Sequence, residues 1–214
     1  MGAITYDYME NYIRSLIPES YGKYKDLEDF ALENKVPIAQ KETAKFLEFM
    51  ISMKKPLRIL ELGTAIGYSS ILMYEAAKTN PFITTIERDE KMIEIATSNF
   101  EKYGLKDKIE IKAGDCLEVL ENLEEPYDLI FIDAGKGHYN HFLPNCLRLL
   151  RDDGIIIADN VLFRGMVASD ELIKRRKITI VKRMRKYLDL VSEDSNLITS
   201  VIPMGDGIAV TKRR

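Results

Sequence analysis

From Leu57 onward, short aliphatic runs alternate with stretches that carry apolar residues at three-and-four spacing. Few folds accommodate such an alternation. The runs "LRILEL" (57–62), "FITTIE" (82–87), "KIEIKAG" (108–114), "YDLIFID" (127–133) and "GIIIAD" (154–159) read as strands. Between them, "GYSSILMYEAAKT", "DEKMIEIATSNFEKYG" and "HYNHFLPNCLRLL" read as helices, with Pro144 expected near the start of the last. Apolar strands joined by crossover helices specify a mostly parallel sheet covered on both faces. A long helix is expected at roughly 168–193, followed by an antiparallel hairpin, "NLITSVIPM" and "GIAVTKR", around "GDG" (205–207). These runs add up to an α/β sheet of seven strands. Upstream, residues 5–54 carry three helical patterns and Pro56 ends the region. The expectation is one domain, 1–214, with an N-terminal helical cap over 1–54 and a core over 57–214.

The composition, 46 % hydrophobic and 30 % charged, supports a buried core. The net charge of −3 gives the whole molecule no bias toward polyanions. No apolar stretch approaches the ~18–20 residues of a membrane span, and no signal-peptide pattern opens the chain, so no membrane partner and a cytoplasmic location are expected. Cys116 and Cys146, the only cysteines, read as free thiols.

In a parallel sheet the ligand lies beyond the carboxyl ends of the strands, where strand order reverses. The first strand ends in "ELGTAIGYSS", where Gly63 and Gly67 permit a tight turn ahead of a helix N-terminus. It is not a P-loop, because Tyr68 and Ser69 follow Gly67 where Lys and Ser/Thr would be needed, and it lacks the G-x-G-x-x-G of a nicotinamide turn. The second strand ends on Glu87. An acid there either accepts hydrogen bonds from ribose hydroxyls or simply starts the next helix. Asp115, in "AGDC", is placed to meet an adenine amino group. Two further apolar runs stop abruptly on acids, one on Asp133 and the other on Asp159-Asn160. Helix capping explains an acid after a strand, but not an amide beside it.

The glycine turn in "RILELGTAIGYSS" and the acid in "FITTIERDE" resemble the class I S-adenosylmethionine-dependent methyltransferases, which have a Rossmann-like fold. More narrowly, "FIDAGKGHYNHF" and "IIADNVLFRG" resemble the metal-dependent O-methyltransferases of the catechol and caffeoyl-CoA type, with D-x-x-K-x-x-Y after the fourth strand and D-N-x-L-x-x-G after the fifth. The resemblance implies that S-adenosylmethionine is held by Ile38, Glu61, Gly63, Tyr68, Ser69, Glu87, Asp115, Cys116 and Asp133. It implies Mg²⁺ or Mn²⁺ on Asp133, Asp159 and Asn160, an all-oxygen set suited to a hard cation. It makes Lys136 the general base, working with Asp133 in catalysis; from the residue alone, Lys136 would read as a solvent-facing loop lysine. His138 and His141 have no third soft ligand nearby and read as helix-surface residues.

The acceptor must be read elsewhere. Residues 174–186, "KRRKITIVKRMRK", carry eight Lys/Arg and no acid. Such a run is either a solvated helix face or a surface for a phosphate backbone formed by Arg164, Lys174, Arg175, Arg176, Lys177, Lys182 and Arg183. Together with "PMGDGIAVTKR", these segments resemble the bacterial tRNA 5-hydroxyuridine methyltransferases. That implies a tRNA anticodon loop as partner and conversion of wobble 5-hydroxyuridine to 5-methoxyuridine. The other readings are a small catechol or hydroxycinnamoyl acceptor, and a non-catalytic S-adenosylmethionine-dependent RNA-binding module, which has no use for Asp133, Lys136, Asp159 and Asn160. The resemblance also implies a homodimer with N-terminal helices helping to cover the cofactor.

Overall fold

A computed structural model describes residues 4–214 of the protein, so the first three residues of the expected cap lie outside the described part. Three helices precede the sheet: α1 (Asp7–Ser15), α2 (Lys23–Asn34) and α3 (Lys41–Lys54). The α3 helix stops where Lys55 turns left-handed just before Pro56, a residue whose ring disfavours a preceding helical conformation. The strands are β1 (Arg58–Leu62), β2 (Phe82–Glu87), β3 (Ile109–Ala113), β4 (Tyr127–Ile132), β5 (Leu150–Ala158), β6 (Leu197–Ile202) and β7 (Ile208–Arg213). They form one sheet in the order β3-β2-β1-β4-β5-β7-β6. The first five run parallel, and β7 lies antiparallel between β5 and β6. This is the expected Rossmann-like α/β sheet with a C-terminal hairpin.

Helices α4 (Tyr68–Ala77), α5 (Glu90–Lys102), α6 (Cys116–Asn122), α7 (Tyr139–Leu149) and α8 (Ile178–Glu193) complete the fold. Because successive strand residues point to opposite faces, the sheet builds two cores. Leu60, Leu62, Ile130, Ile132 and Ile156 pack with Leu120, Cys146, Met184 and Tyr187 of α6, α7 and α8. Ile59, Leu129, Phe131 and Ile157 pack with Leu47, Ile51, Ile71 and Phe100 of α3, α4 and α5. Each such fully buried side chain contributes ~1.5–3 kcal/mol. Both cysteines are free and buried in the first core. No helix among the described residues is long and apolar enough to cross a membrane.

The helix expected at 168–193 begins only at Ile178. Two 3₁₀ turns, Asp170–Leu172 and Arg175–Lys177, precede it, and Lys174 between them is extended. The four consecutive cations at 174–177 thus lie in the second 3₁₀ turn and the residue before it, ahead of α8. Pro144 falls inside α7, which starts at Tyr139.

The chain runs from β1 outward to β3, then returns to place β4 on the other side of β1. That reversal opens a crevice beyond the carboxyl ends of β1, β4 and β5.

Candidate functional site

Strand register sets the acidic end of this crevice. Leu62 pairs with Ile132, and Ile132 with Ala158, so the next residues, Asp133 and Asp159, emerge side by side. Backbone hydrogen bonds from Asp133 N to Leu62 O and from Asp159 N to Ile132 O carry the ladder through both positions. Asp159 is only 2 % exposed, and Asn160 is left-handed (φ 61°), a conformation asparagine tolerates better than most residues. The turn brings Asn160 N to 2.7 Å from Asp159 Oδ1, to which it donates.

Burial, reinforced by the neighbouring Asp159 charge, pushes the Asp133 carboxyl above the usual carboxylate range, and Lys136 opposes that rise. Burial also raises Asp159, with hydrogen bonds from Asn160 and the charge of Lys136 acting against it. Two crowded carboxyls that resist joint ionisation, with an amide oxygen beside them, fit a hard cation better than a soft one. Among the described residues no three His, Cys, Asp or Glu side chains group to hold a metal.

At the other end of the crevice, the glycine turn closes through Glu87. Its Oε2 accepts from Ala65 N at 3.0 Å, and its Oε1 accepts from Arg88 N (2.9 Å) and Asp89 N (3.0 Å). Gly63 (φ 104°) lies against the β4 loop, where a Cβ would come within 2.9 Å of the Ala134 side chain. Only glycine permits that approach.

A cavity of about 1030 Å³ joins the two ends. Of the sequence-derived candidates, Ile38, Gly63, Glu87, Asp133, Lys136, Asp159, Asn160, Arg164, Lys174 and Lys177 line it. Helix α1 adds Glu10 and Arg14 to its wall, with Arg14 held by the buried Glu42 at 2.7 Å and 2.9 Å. The sequence reading missed Asp206, which also lines the cavity. Its carboxylate accepts from Arg164 N, and its charge reaches both Asp159 and Lys136. Nothing in "GDG" separates this aspartate from an ordinary turn residue.

The remaining candidates lie outside the cavity lining, each with a partner or setting of its own. Glu61 is fully buried and accepts from Ser69 Oγ, Ser70 Oγ and Thr85 Oγ1, pinning α4 to β1 and β2. Tyr68 donates to Glu28 at 3.1 Å and lines a separate groove beside α2 and α3. Asp115 caps α6 by accepting from Leu117 N at 2.9 Å, and the buried Cys116 thiol is pushed up to about 12 by burial. Arg175, Arg176 and Lys182 are exposed, and so are His138 and His141. Arg183 is half-buried and its guanidinium donates to Gly137 O at 3.1 Å, which sets it apart from the exposed cations of the run. Helical phase could have shown this, because Arg183 lies three residues after Ile180 and four before Tyr187, on the flank of the apolar stripe.

Comparison with known proteins gives a consistent picture. The O-methyltransferase family matches residues 22–214. A catechol O-methyltransferase from Niastella koreensis is 38 % identical over 130 residues, covering 59 % of this chain and 59 % of its own length. A caffeoyl-CoA O-methyltransferase from Populus kitakamiensis is 29 % identical over 182 residues, covering 80 % of this chain and 76 % of its own length. Among solved structures, a Staphylococcus aureus protein provisionally assigned as a caffeoyl-CoA O-methyltransferase shares 32 % identity with a TM-score of 0.88, covering 97 % of this chain and all of that one. An O-methyltransferase from Bacillus cereus, solved in complex with SAH, shares 25 % identity with a TM-score of 0.84, covering 97 % of each chain.

Proposed function

This chain belongs to the O-methyltransferase family, and we propose that it moves a methyl group from S-adenosylmethionine to one oxygen of a vicinal oxygen pair, assisted by a divalent cation. The observation that carries this reading is the register of β4 and β5, which sets Asp133 beside Asp159 in the cavity that also contains Glu87 and Gly63. Asp133, Asp159 and Asn160 would hold Mg²⁺, with Mn²⁺ suited to the same donors. When bound, such a cation acts as a Lewis acid that makes an acceptor hydroxyl more acidic.

The protein's own groups do the rest. Lys136, as the neutral amine, would take the proton of the acceptor hydroxyl and become the ammonium; it lines the same cavity as Asp133, Asp159 and Asp206, which supports this role. Glu87, fixed by three backbone N–H groups, accepts hydrogen bonds from ribose hydroxyls. Gly63 lets the backbone approach the cofactor, and Ile38 covers its methionine end. In-line positioning of donor and acceptor can supply several kcal/mol of the barrier reduction.

The acceptor we infer is 5-hydroxyuridine at a tRNA wobble position, whose 5-hydroxyl and 4-carbonyl oxygens form a vicinal pair. Arg164, Lys174 and Lys177 on the cavity wall, with exposed Arg175, Arg176 and Lys182 close in sequence, support a phosphate-bearing partner. A base in a single-stranded loop enters a pocket without melting a duplex. The names of the relatives favour a second reading, a small catechol or hydroxycinnamoyl ester. Exposed Tyr8, Tyr12, Leu16, Phe49 and Met53 offer an apolar surface to a second copy, in keeping with a homodimer.

The test supplies labelled S-adenosylmethionine and Mg²⁺ with either 5-hydroxyuridine-containing tRNA or a simple catechol, each with an EDTA control. EDTA-sensitive 5-methoxyuridine by nucleoside mass spectrometry, with little catechol product, supports the tRNA acceptor. Catechol methylation with unchanged tRNA contradicts it and favours the second reading.

A further inference from the structure

We propose that Arg183 and Arg185 are positioning residues, through which α8 braces the two loops that carry Asp133, Lys136, Asp159 and Asn160. The inference rests on the metal-site reading given above. Arg183 donates to Gly137 O, one residue beyond Lys136. Ile180 of α8 packs against that glycine, where a Cβ would sit in ordinary contact, 3.4 Å from its Cγ1. On the other side, Arg185 Nε donates to Val167 O at 2.8 Å and one terminal nitrogen to Met166 O at 3.4 Å, and the guanidinium pairs with Asp170 at 2.7 Å. These acceptors belong to the segment that leaves Asn160. Between the two arginines' targets, Tyr187 of α8 meets the ring of Tyr139 edge-on, with centroids 5.6 Å apart. One helix thus reaches both strand-end loops at three points.

Neither loop is held by regular secondary structure. Residues 133–138 include Gly135 and Gly137, and residues 159–169 include left-handed Asn160, Phe163 and Arg164. A planar guanidinium with several donors suits the bracing of backbone carbonyls, and a donor spent on a carbonyl is not free for a phosphate. The basic run therefore divides by function. Lys182 and Lys186 are exposed, whereas Arg183 and Arg185 are half-buried and point at the loops.

The test compares wild type with Arg183→Ala and Arg183→Lys. Mn²⁺ affinity is read by electron paramagnetic resonance on the folded protein, and kcat and KM are measured for a catechol and for tRNA, with thermal melts to confirm folding. Outer-shell contacts of this kind are worth about 10-fold or more in metal affinity or activity. We expect Arg183→Ala to weaken Mn²⁺ binding about 10-fold and to lower kcat on whichever acceptor is used, leaving the tRNA KM little changed. Arg183→Lys should recover part of both losses, because its ammonium can still donate to Gly137 O. Unchanged Mn²⁺ affinity and unchanged catechol kcat, with a raised tRNA KM, would overturn the brace and make Arg183 a phosphate contact. A wild-type protein that neither binds Mn²⁺ nor methylates either acceptor would instead remove the metal-site reading and the brace with it.

Discussion

The hydroxyl of Tyr139 lies 3.0 Å from the backbone carbonyl of Asp159 and 3.2 Å from that of Ile132, sharing its proton between the two. The tyrosine of D-x-x-K-x-x-Y therefore ties the end of β4 to the end of β5 and fixes the spacing of the two carboxylates. It is fully buried, and burial pushes its phenol well above the ordinary range, so it stays a neutral donor.

Removing that hydroxyl takes this donor from the Asp159 carbonyl, while Ile132 O keeps its bond from Asp159 N, a loss of ~1–3 kcal/mol. Tyr139→Phe should lower the urea midpoint at an unchanged m-value and reduce kcat, since the ring still fills its place in the core. An unchanged midpoint with full activity would show that the hydroxyl plays no part in setting the strand ends.

The crowding of Asp133 and Asp159 predicts how the protein responds to metal. Mg²⁺ at about 100 times its Kd should stabilise the wild type by ~2.7 kcal/mol, which is ~5–10 °C in Tm for a chain of this size. Asp133→Asn removes one of two mutually repelling buried acids. Differential scanning fluorimetry should show a higher metal-free Tm for this variant and little further gain on adding Mg²⁺. A full Mg²⁺ shift in Asp133→Asn would mean that the ion binds elsewhere.

Glu61 predicts a pH dependence. Burial raises its carboxyl to about 7 despite three hydroxyl donors, while in the unfolded chain it titrates near ~4.3. Between those values the folded state keeps a proton that the unfolded state has released. Stability therefore falls as pH rises through that window. In Glu61→Gln this loss should disappear. Unfolding free energies at about pH 4.5 and about pH 8 should differ less in the variant than in the wild type, and an equal difference would place the slope on other groups.

Much of this architecture could be read from pattern alone. Five apolar runs marked the parallel strands, and the abrupt stops at Asp133 and Asp159 marked the ends that register brings together. The N-terminal helices and the hairpin also lie where periodicity put them. What escaped was information held in three dimensions. Asp206 reaches the cavity because β7 runs antiparallel beside β5 and returns the hairpin turn to that end of the sheet, a consequence of topology that its neighbours do not encode. Asp115 also caps α6 through one carboxylate oxygen, and Glu61 is enclosed by three hydroxyls, contacts that only packing reveals. The basic run read as one surface, although helical phase turns Arg183 and Arg185 inward.

The central claim is that Asp133, Asp159 and Asn160 hold a divalent cation required for methyl transfer. Its most direct test follows the transfer of a labelled methyl group from S-adenosylmethionine to a vicinal dihydroxy acceptor and to 5-hydroxyuridine-containing tRNA. Wild type and Asp159→Ala are compared, with Mg²⁺ and with EDTA. The account predicts turnover on at least one acceptor by the wild type with Mg²⁺, and none with EDTA or in Asp159→Ala, while S-adenosylmethionine still binds in all cases. Turnover that persists in EDTA, or in Asp159→Ala, would contradict it.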